Sequence, residues 1–242
     1  MQLRGAVALV SGAKRGMGNT TARALLAEGA AKVYVADTDE ITVAEIAALD
    51  ATRAIPLHLD ITKHDQVSAA ARRYGDVSIL INNAGINRGA SLLRAESIDN
   101  ARAEMEVNFF GTLGMCRAFA PILKKNGGGA IVNMLSVLAR MPYAIMGSYC
   151  ASKAALLSLT YTMRAELASQ GTRVIGVFPG PVDTRMTPGG EMQPAEVSAA
   201  IIAALKGDAD EVWPGARAAK FRDDIQREPQ AVEREHAKVL AR

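Results

Sequence analysis

Tyr149 and Lys153 stand four residues apart in Tyr149-Cys150-Ala151-Ser152-Lys153. On a helix that spacing puts a phenol and an ammonium on one face, one turn apart. A free tyrosine titrates at about 10 and is a poor proton carrier at neutral pH unless a nearby cation stabilises its phenolate. Lys153 is placed to be that cation. Lowering the phenol by about three units takes about 4 kcal/mol of differential stabilisation, which a close ammonium in a water-poor cleft supplies. The spacing is common by chance, so its meaning depends on the rest of the chain.

A second chemical signal lies near the N-terminus. Ser11-Gly12-Ala13-Lys14-Arg15-Gly16-Met17-Gly18 follows an apolar run at 6–10 and opens a helical pattern at 17–28. Glycines there let the backbone turn tightly and approach a pyrophosphate, while free N–H groups and the positive helix end attract its charge. The spacing is G-x-x-x-G-x-G, not G-x-G-x-x-G. Asp37 ends the next apolar run, nineteen residues after Gly18, where a carboxylate accepts hydrogen bonds from the hydroxyls of an adenosine ribose. A 2′-phosphate there would meet a like charge at a cost of about 4 kcal/mol for unit charges ~4 Å apart at an effective dielectric of ~20. NAD is therefore favoured over NADP. Lys14 and Arg15 pull the other way, because either could reach a 2′-phosphate.

The elements that must position these groups follow a βαβ rhythm. Apolar runs at 6–10, 32–36, 54–59, 78–82, 130–134 and 172–178 alternate with helical patterns at 17–28, 41–49, 65–74, 95–125 and 148–169, and 211–213 reads as a short seventh strand. The runs lack strict alternation, so the strands should be buried on both faces under helices. The expected fold is α/β: a single domain spanning 1–242, with a doubly wound parallel sheet of about seven strands. Residues 184–194 read as a mobile loop before a helix at 195–205, and 184–205 as the substrate-loop region. From 216 to 242 the chain reads as a charged helical tail broken near Pro229, with Phe221, Ile225, Val232, Val239 and Leu240 as its apolar points. That tail is either a solvated extension or a segment docked on a partner subunit.

Composition limits the partners. The chain has 242 residues, half of them apolar, and a formal charge of +3 with no basic block. Nucleic acid is not an expected partner. No apolar run is long enough to span a bilayer and no signal segment precedes residue 6, so a soluble cytoplasmic location is expected. Cys116 and Cys150 are too few for a disulfide framework, and His58, His64 and His236 are too scattered for a metal site. Cys150 reads as a packed thiol.

Further motifs complete a pattern: Leu59-Asp60-Ile61-Thr62, Asn82-Asn83-Ala84-Gly85, Val107-Asn108-Phe109-Phe110-Gly111-Thr112, Ser136 thirteen residues before Tyr149, and Pro179-Gly180-Pro181-Val182-Asp183-Thr184. In this order they resemble the short-chain dehydrogenase/reductase superfamily over residues 5–215, with a Rossmann-type sheet. Ser11 stands where threonine is commoner, and Cys150 where small residues are usual. The resemblance implies that Asp60 and the Ile61 N–H hold an adenine ring. It implies that Asn83, Ala84 and Gly85 line the cofactor, and that Pro179, Gly180, Val182 and Thr184 lie along its nicotinamide end. Asn108, Ser136, Tyr149 and Lys153 become a catalytic tetrad: Tyr149 moves the substrate hydroxyl proton, and Lys153 lowers its pKa and holds the nicotinamide ribose. Ser136 binds the substrate oxygen, and Asn108 anchors a relay water.

Side chains near the tetrad point to a mostly apolar substrate. Val137, Leu138, Tyr143, Met146, Met186 and Met192 are the expected pocket, with Ile86 and Asn87 beside it, and Arg140 and Arg185 as rim charges. The reading is an NAD-dependent interconversion of a secondary alcohol and a ketone. An NADPH-dependent 3-oxoacyl-carrier reductase and a non-catalytic NAD-sensing scaffold are the alternatives. The resemblance also implies a homotetramer or homodimer built on the helices at 95–125 and 148–169.

Overall fold

The computed structural model describes residues 1–41 and 43–237. Thr42 in the second expected helix, and Val239 and Leu240 in the tail, lie outside the described residues. The chain runs β1 (Val7–Ser11), α1 (Gly16–Ala27), β2 (Lys32–Asp37), α2 (Val43–Asp50), β3 (Ala54–His58), α3 (His64–Arg73), β4 (Ile79–Asn82) and α4 (Asp99–Met105). It continues through α5 (Thr112–Lys125), β5 (Gly129–Met134), α6 (Gly147–Leu167), β6 (Thr172–Val177), α7 (Pro194–Lys206), β7 (Glu211–Val212), α8 (Gly215–Arg227) and α9 (Pro229–Ala237).

The seven strands are parallel, in the order β3-β2-β1-β4-β5-β6-β7. The chain winds outward from β1 to β3, then returns to place β4 on the other side of β1. A crevice opens where that direction reverses, beyond the carboxyl ends of β1 and β4. Successive side chains on a strand face opposite ways, and here both sets are apolar. Ala8, Val10, Ile79, Ile81, Val132 and Ile175 pack with α1 and α7 through Leu25, Val197 and Ile201. Leu9, Leu80, Ile131 and Val174 pack on the other face with Val67, Phe119 and Met163 from α3, α5 and α6. Each fully buried aliphatic side chain contributes about 1.5–3 kcal/mol, so the sheet that carries the site is a firm platform.

Two expectations are corrected, and a third element is described in more detail. Strand β3 is not buried on both faces: it is a sheet edge, with Ile55 and Leu57 half-buried and Pro56 and His58 exposed, and an edge tolerates a residue that cannot donate to the ladder. The long helix expected over 95–125 begins only at Asp99 and is interrupted by a π-helical turn, Glu106–Gly111, before α5. The stretch at 184–194 is folded back on itself. Val182 pairs with Met192, the Asp183 N–H donates to the Met192 carbonyl at 2.8 Å, and the Gly189 N–H donates to Asp183 Oδ1 at 3.0 Å. Over its described residues the tail forms α8 and α9, with the break at Glu228 before Pro229. It docks on its own domain, with the His236 ring 5.7 Å from Tyr143 and 5.5 Å from Phe221, centroid to centroid.

Candidate active site

The glycine loop bridges β1 and α1, and its close packing dictates its residue types. Gly12 has φ +61°, and a Cβ on it would stand 2.8 Å from the Ala84 Cα. A Cβ on Gly18 would stand 2.4 Å from the Gly12 carbonyl oxygen and 2.6 Å from Asn83 Nδ2. That closeness lets the Asn83 side chain donate to the carbonyls of Ser11 and Gly12, both at 2.9 Å. Ser11 Oγ accepts the N–H groups of Asn83 and Ala84 at 3.1 Å each. The turn after β4 is thereby locked to the turn after β1. No side chain caps the first turn of α1, so its N–H groups stay available to an anion.

A cleft of about 1090 Å³ runs over this junction. It is lined by Gly12, Arg15, Gly16, Met17, Asp37, Asp60, Ile61, Asn83, Ala84, Gly85, Thr184 and Met186, all expected from the sequence, and by Ile86, Asn87 and Arg185 beside them. Gly18 lies beneath the cleft as packing. Asp37 is fixed by the Lys14 N–H at 3.0 Å and the Asp39 N–H at 3.2 Å. The flanking cations have acidic partners: Arg15 pairs with Asp39, and Lys14 with Glu45 at 3.7 Å. Asp60 accepts the Thr62 N–H and hydroxyl at 2.9 and 2.7 Å. With glycines and the Asp37 and Asp60 carboxylates in its lining, a cleft of this volume has room for a dinucleotide.

Behind the cleft lie the groups expected to do the chemistry. Tyr149 is 9 % exposed, Ser136 7 % and Lys153 4 %. Burial pushes the Tyr149 phenol up to about 12, with the Ser136 hydroxyl acting in the opposite direction. Burial pulls the Lys153 ammonium down to about 8. The expected depression of Tyr149 by Lys153 is thus not found. The ammonium is 5.8 Å from the ring centroid and donates to the Met134 carbonyl at 2.8 Å, so desolvation outweighs it. A Cβ on Gly85 would come within 3.4 Å of Lys153 Nζ and 3.0 Å of Asn108 Oδ1. Glycine there keeps the space between them open.

Asn108 sits on the π turn and is fully buried. Its Oδ1 accepts the Ile86 N–H, and its Nδ2 donates to the Ile86 carbonyl and to Ser152 Oγ, all at 2.9 Å. With both amide hydrogens engaged, the side chain clamps the loop after β4. One turn earlier on the same face, Glu104 is fully buried, accepts the Arg88 N–H at 2.6 Å through Oε1, and leaves Oε2 without a partner. Sequence reasoning missed Glu104, which nothing in the sequence sets apart from a solvent-facing helix glutamate. It also missed Asn133 and Thr160, which extend a buried chain from Asn82: Asn82 Nδ2 to Asn133 Oδ1 at 2.9 Å, and Asn133 Nδ2 to Thr160 Oγ1 at 3.0 Å.

The expected substrate residues separate. Val137 and Leu138 lie on a 3₁₀ turn that Ser136 Oγ caps by accepting the Leu138 N–H at 3.2 Å. Tyr143 and Met146 are half-buried at the start of α6, and Asn87 Nδ2 contacts Met146 Sδ at 3.1 Å. Met192 is corrected. With Val182 it belongs to the core under α7, because the Val182–Met192 pairing turns both side chains inward. Val182 can meet a cofactor only through its backbone. The Pro179 carbonyl accepts the Val137 N–H at 3.1 Å, joining the turn after β6 to the Ser136 turn. Arg140 is drawn off by Glu211 at 3.0 Å. Cys150 is a packed thiol, its Sγ accepting the Tyr143 N–H at 3.2 Å. Among the described residues no group of His, Cys, Asp and Glu could hold a metal ion, and no helix is long and apolar enough to cross a membrane.

Comparison with known proteins bears on the family and the fold. Residues 6–193 match the family model described as short chain dehydrogenase. A 187-residue stretch is 38 % identical to the probable oxidoreductase EphD of Mycobacterium tuberculosis, covering 73 % of this chain but 31 % of that protein. The chain thus spans about a third of that relative's length. A short chain dehydrogenase from Burkholderia cenocepacia, solved in complex with NADP, superposes with a TM-score of 0.90 at 46 % identity over 98 % of this chain and 99 % of that one. A short chain dehydrogenase/reductase from Burkholderia phymatum, solved in complex with NAD, gives a TM-score of 0.83 at 26 % identity over 94 % and 96 %. With its glycine-floored cleft, its Ser136–Tyr149–Lys153 group and the match over residues 6–193, this chain belongs to the short-chain dehydrogenase family.

Proposed function

We propose that this protein interconverts a secondary alcohol and a ketone on a mostly apolar small molecule, using NAD. The observation that carries the reading is the burial of Ser136, Tyr149 and Lys153, with Lys153 beside both the Tyr149 ring and the cleft-lining Gly85. When bound, the nicotinamide would accept or donate hydride at the substrate carbon. The chain's own residues manage the proton and the orientation. Gly12, Gly16 and the first turn of α1 would hold the pyrophosphate, and Asp37 the adenosine ribose. Ser136 would hydrogen-bond the substrate oxygen where charge develops, and Tyr149 would give or take its proton. Lys153 keeps a positive charge beside the phenol, and Asn108 holds the loop that walls the cleft.

Asp37 supports NAD, since its carboxylate is fixed at the cleft and the cations beside it are paired with Asp39 and Glu45. The NADP-bound neighbour at 46 % identity favours the other choice. Comparing kcat/KM for both cofactors on a panel of secondary alcohols and ketones decides it: a clear NADP preference removes the Asp37 argument. Tyr149→Phe should lose about 10²–10⁴-fold in turnover while still binding cofactor. Turnover within a few fold of the parent refutes the assigned proton carrier. The reading includes a homotetramer or homodimer; exposed Phe110 and Tyr161, beside α5 and on α6, supply apolar surface for it.

A further inference from the structure

Ser136 lies between β5 and a 3₁₀ turn, Val137–Ala139, so its hydroxyl is only as well placed as that turn. The near end is tied to the sheet: the Leu135 N–H donates to the Val177 carbonyl at 2.8 Å, and the Val137 N–H to the Pro179 carbonyl at 3.1 Å. Within the turn, the Ala139 and Arg140 N–H groups donate to the carbonyls of Ser136 and Val137 at 3.0 and 3.1 Å. Ser136 Oγ accepts the Leu138 N–H at 3.2 Å, which leaves the hydroxyl hydrogen for another acceptor. A turn this short is held by little of its own. Its far end therefore depends on Arg140.

Arg140 is the meeting point of three elements. Its guanidinium donates to Glu211 Oε1 on β7 at 3.0 Å and to the Tyr161 hydroxyl on α6. Tyr161 donates to the same Oε1 at 2.6 Å, and the Trp213 Nε1–H donates to Oε2 at 3.1 Å. The guanidinium carbon lies 5.8 Å from the ring centroid of Phe178, which is fully buried after β6 and stacks on Trp213 at 4.1 Å. The arginine and glutamate side chains are 34 % and 28 % exposed. A lone ion pair so exposed would hold little. Here a planar fork, a phenol and an indole share one carboxylate, which fixes direction as well as distance.

We infer that Arg140 is a positioning residue for Ser136: anchored by Glu211 and Tyr161, it holds the far end of the 137–139 turn and so keeps the Leu138 N–H on Ser136 Oγ. The inference rests on the proposed alcohol–ketone chemistry, in which Ser136 hydrogen-bonds the substrate oxygen. Arg140 does not line the cofactor cleft, so its loss should reach the reaction through Ser136.

Arg140→Met keeps the stem and removes the fork. In the holoenzyme it should lower kcat by about ten- to a hundredfold, the scale of a displaced reacting group, and leave NADH affinity within about twofold. In a Ser136→Ala background the same substitution should change kcat by less than about twofold, because no hydroxyl is left to position. Arg140→Lys, which keeps a charge for Glu211, should recover part of the loss. Glu211→Gln weakens the anchor from the other side and repeats the measurement if the methionine variant fails to fold. A Ser136→Cys background reads the turn without turnover: alkylation of the introduced thiol by iodoacetamide should be at least about fivefold faster with Arg140→Met, while buried Cys116 stays unmodified. A folded Arg140→Met protein that keeps the parental kcat, loses as much in the Ser136→Ala background as in the parent, or shows no faster alkylation overturns the inference. Faster alkylation in a protein that turns over no alcohol or ketone supports it while removing the proposed function.

Discussion

Replacing Lys153 by methionine should make the cofactor-free protein more stable and catalytically dead. The ammonium is 4 % exposed, and burial lowers its pKa from 10.5 to about 8. At ~1.4 kcal/mol per unit, holding it charged in the native state costs about 3 kcal/mol. Methionine keeps the unbranched stem and removes the charge, but it leaves the Met134 carbonyl without the bond of 2.8 Å that Lys153 donates. That loss costs about 1 kcal/mol. The net gain is about 2 kcal/mol, or about 4–8 °C in Tm for a chain of this size.

The pH dependence separates this cause from generic repacking. Below pH 8 native and unfolded lysine are both protonated, so the full penalty burdens the parent. Between pH 8 and 10.5 the unfolded chain binds more protons, and the parent gains stability as pH rises. Above 10.5 the penalty is gone, and the methionine variant is the less stable one by its missing hydrogen bond. Urea unfolding of both proteins from neutral to alkaline pH, with turnover assayed in parallel, tests this. A variant less stable than the parent at pH 7, or a difference that does not change with pH, refutes the burial argument.

Two other substitutions follow from packing. Gly18→Ala forces the loop apart, since its Cβ would meet the Gly12 carbonyl oxygen at 2.4 Å; it should cost about 1–3 kcal/mol and weaken NADH binding, read by fluorescence titration, by at least about tenfold. An unchanged Tm with affinity within about twofold would show that the close approach at Gly18 does not matter. Asn133→Ala strips the buried Asn82 and Thr160 of a shared partner and should cost about 2–4 kcal/mol by urea unfolding. A loss under about 1 kcal/mol would mean that water or rearrangement replaces the network.

The sheet was legible because a parallel sheet buries both faces, and that requirement writes continuous apolar runs such as Leu80-Ile81 and Ile131-Val132 into the chain. The edge was not: β3 lies within the same rhythm, and only Pro56 hints that one side lacks a neighbour. Much of the cleft lining was legible, since glycines and short polar side chains at strand ends have few other reasons to occur together, but Gly18 and Val182 pack elsewhere. The substrate side was harder to read. Met192 lies close to Met186 in sequence, yet a single pairing with Val182 buries one while the other stays exposed at the cleft. Glu104 was invisible for a different reason. A helix-borne glutamate ordinarily faces solvent, and only the packing of α4 on α6 shows that this one does not.

Burial also changes what the Tyr149–Lys153 pair means. In water the ammonium holds its proton slightly more tightly than the phenol. In this site the order is reversed and widened, with Tyr149 at about 12 and Lys153 at about 8. A proton withdrawn from the pair therefore leaves Lys153 first, and the phenol stays protonated across the physiological range. Running as a base requires further positive charge next to the phenol. The sequence motif names the two residues, but the surrounding burial decides which of them holds the proton.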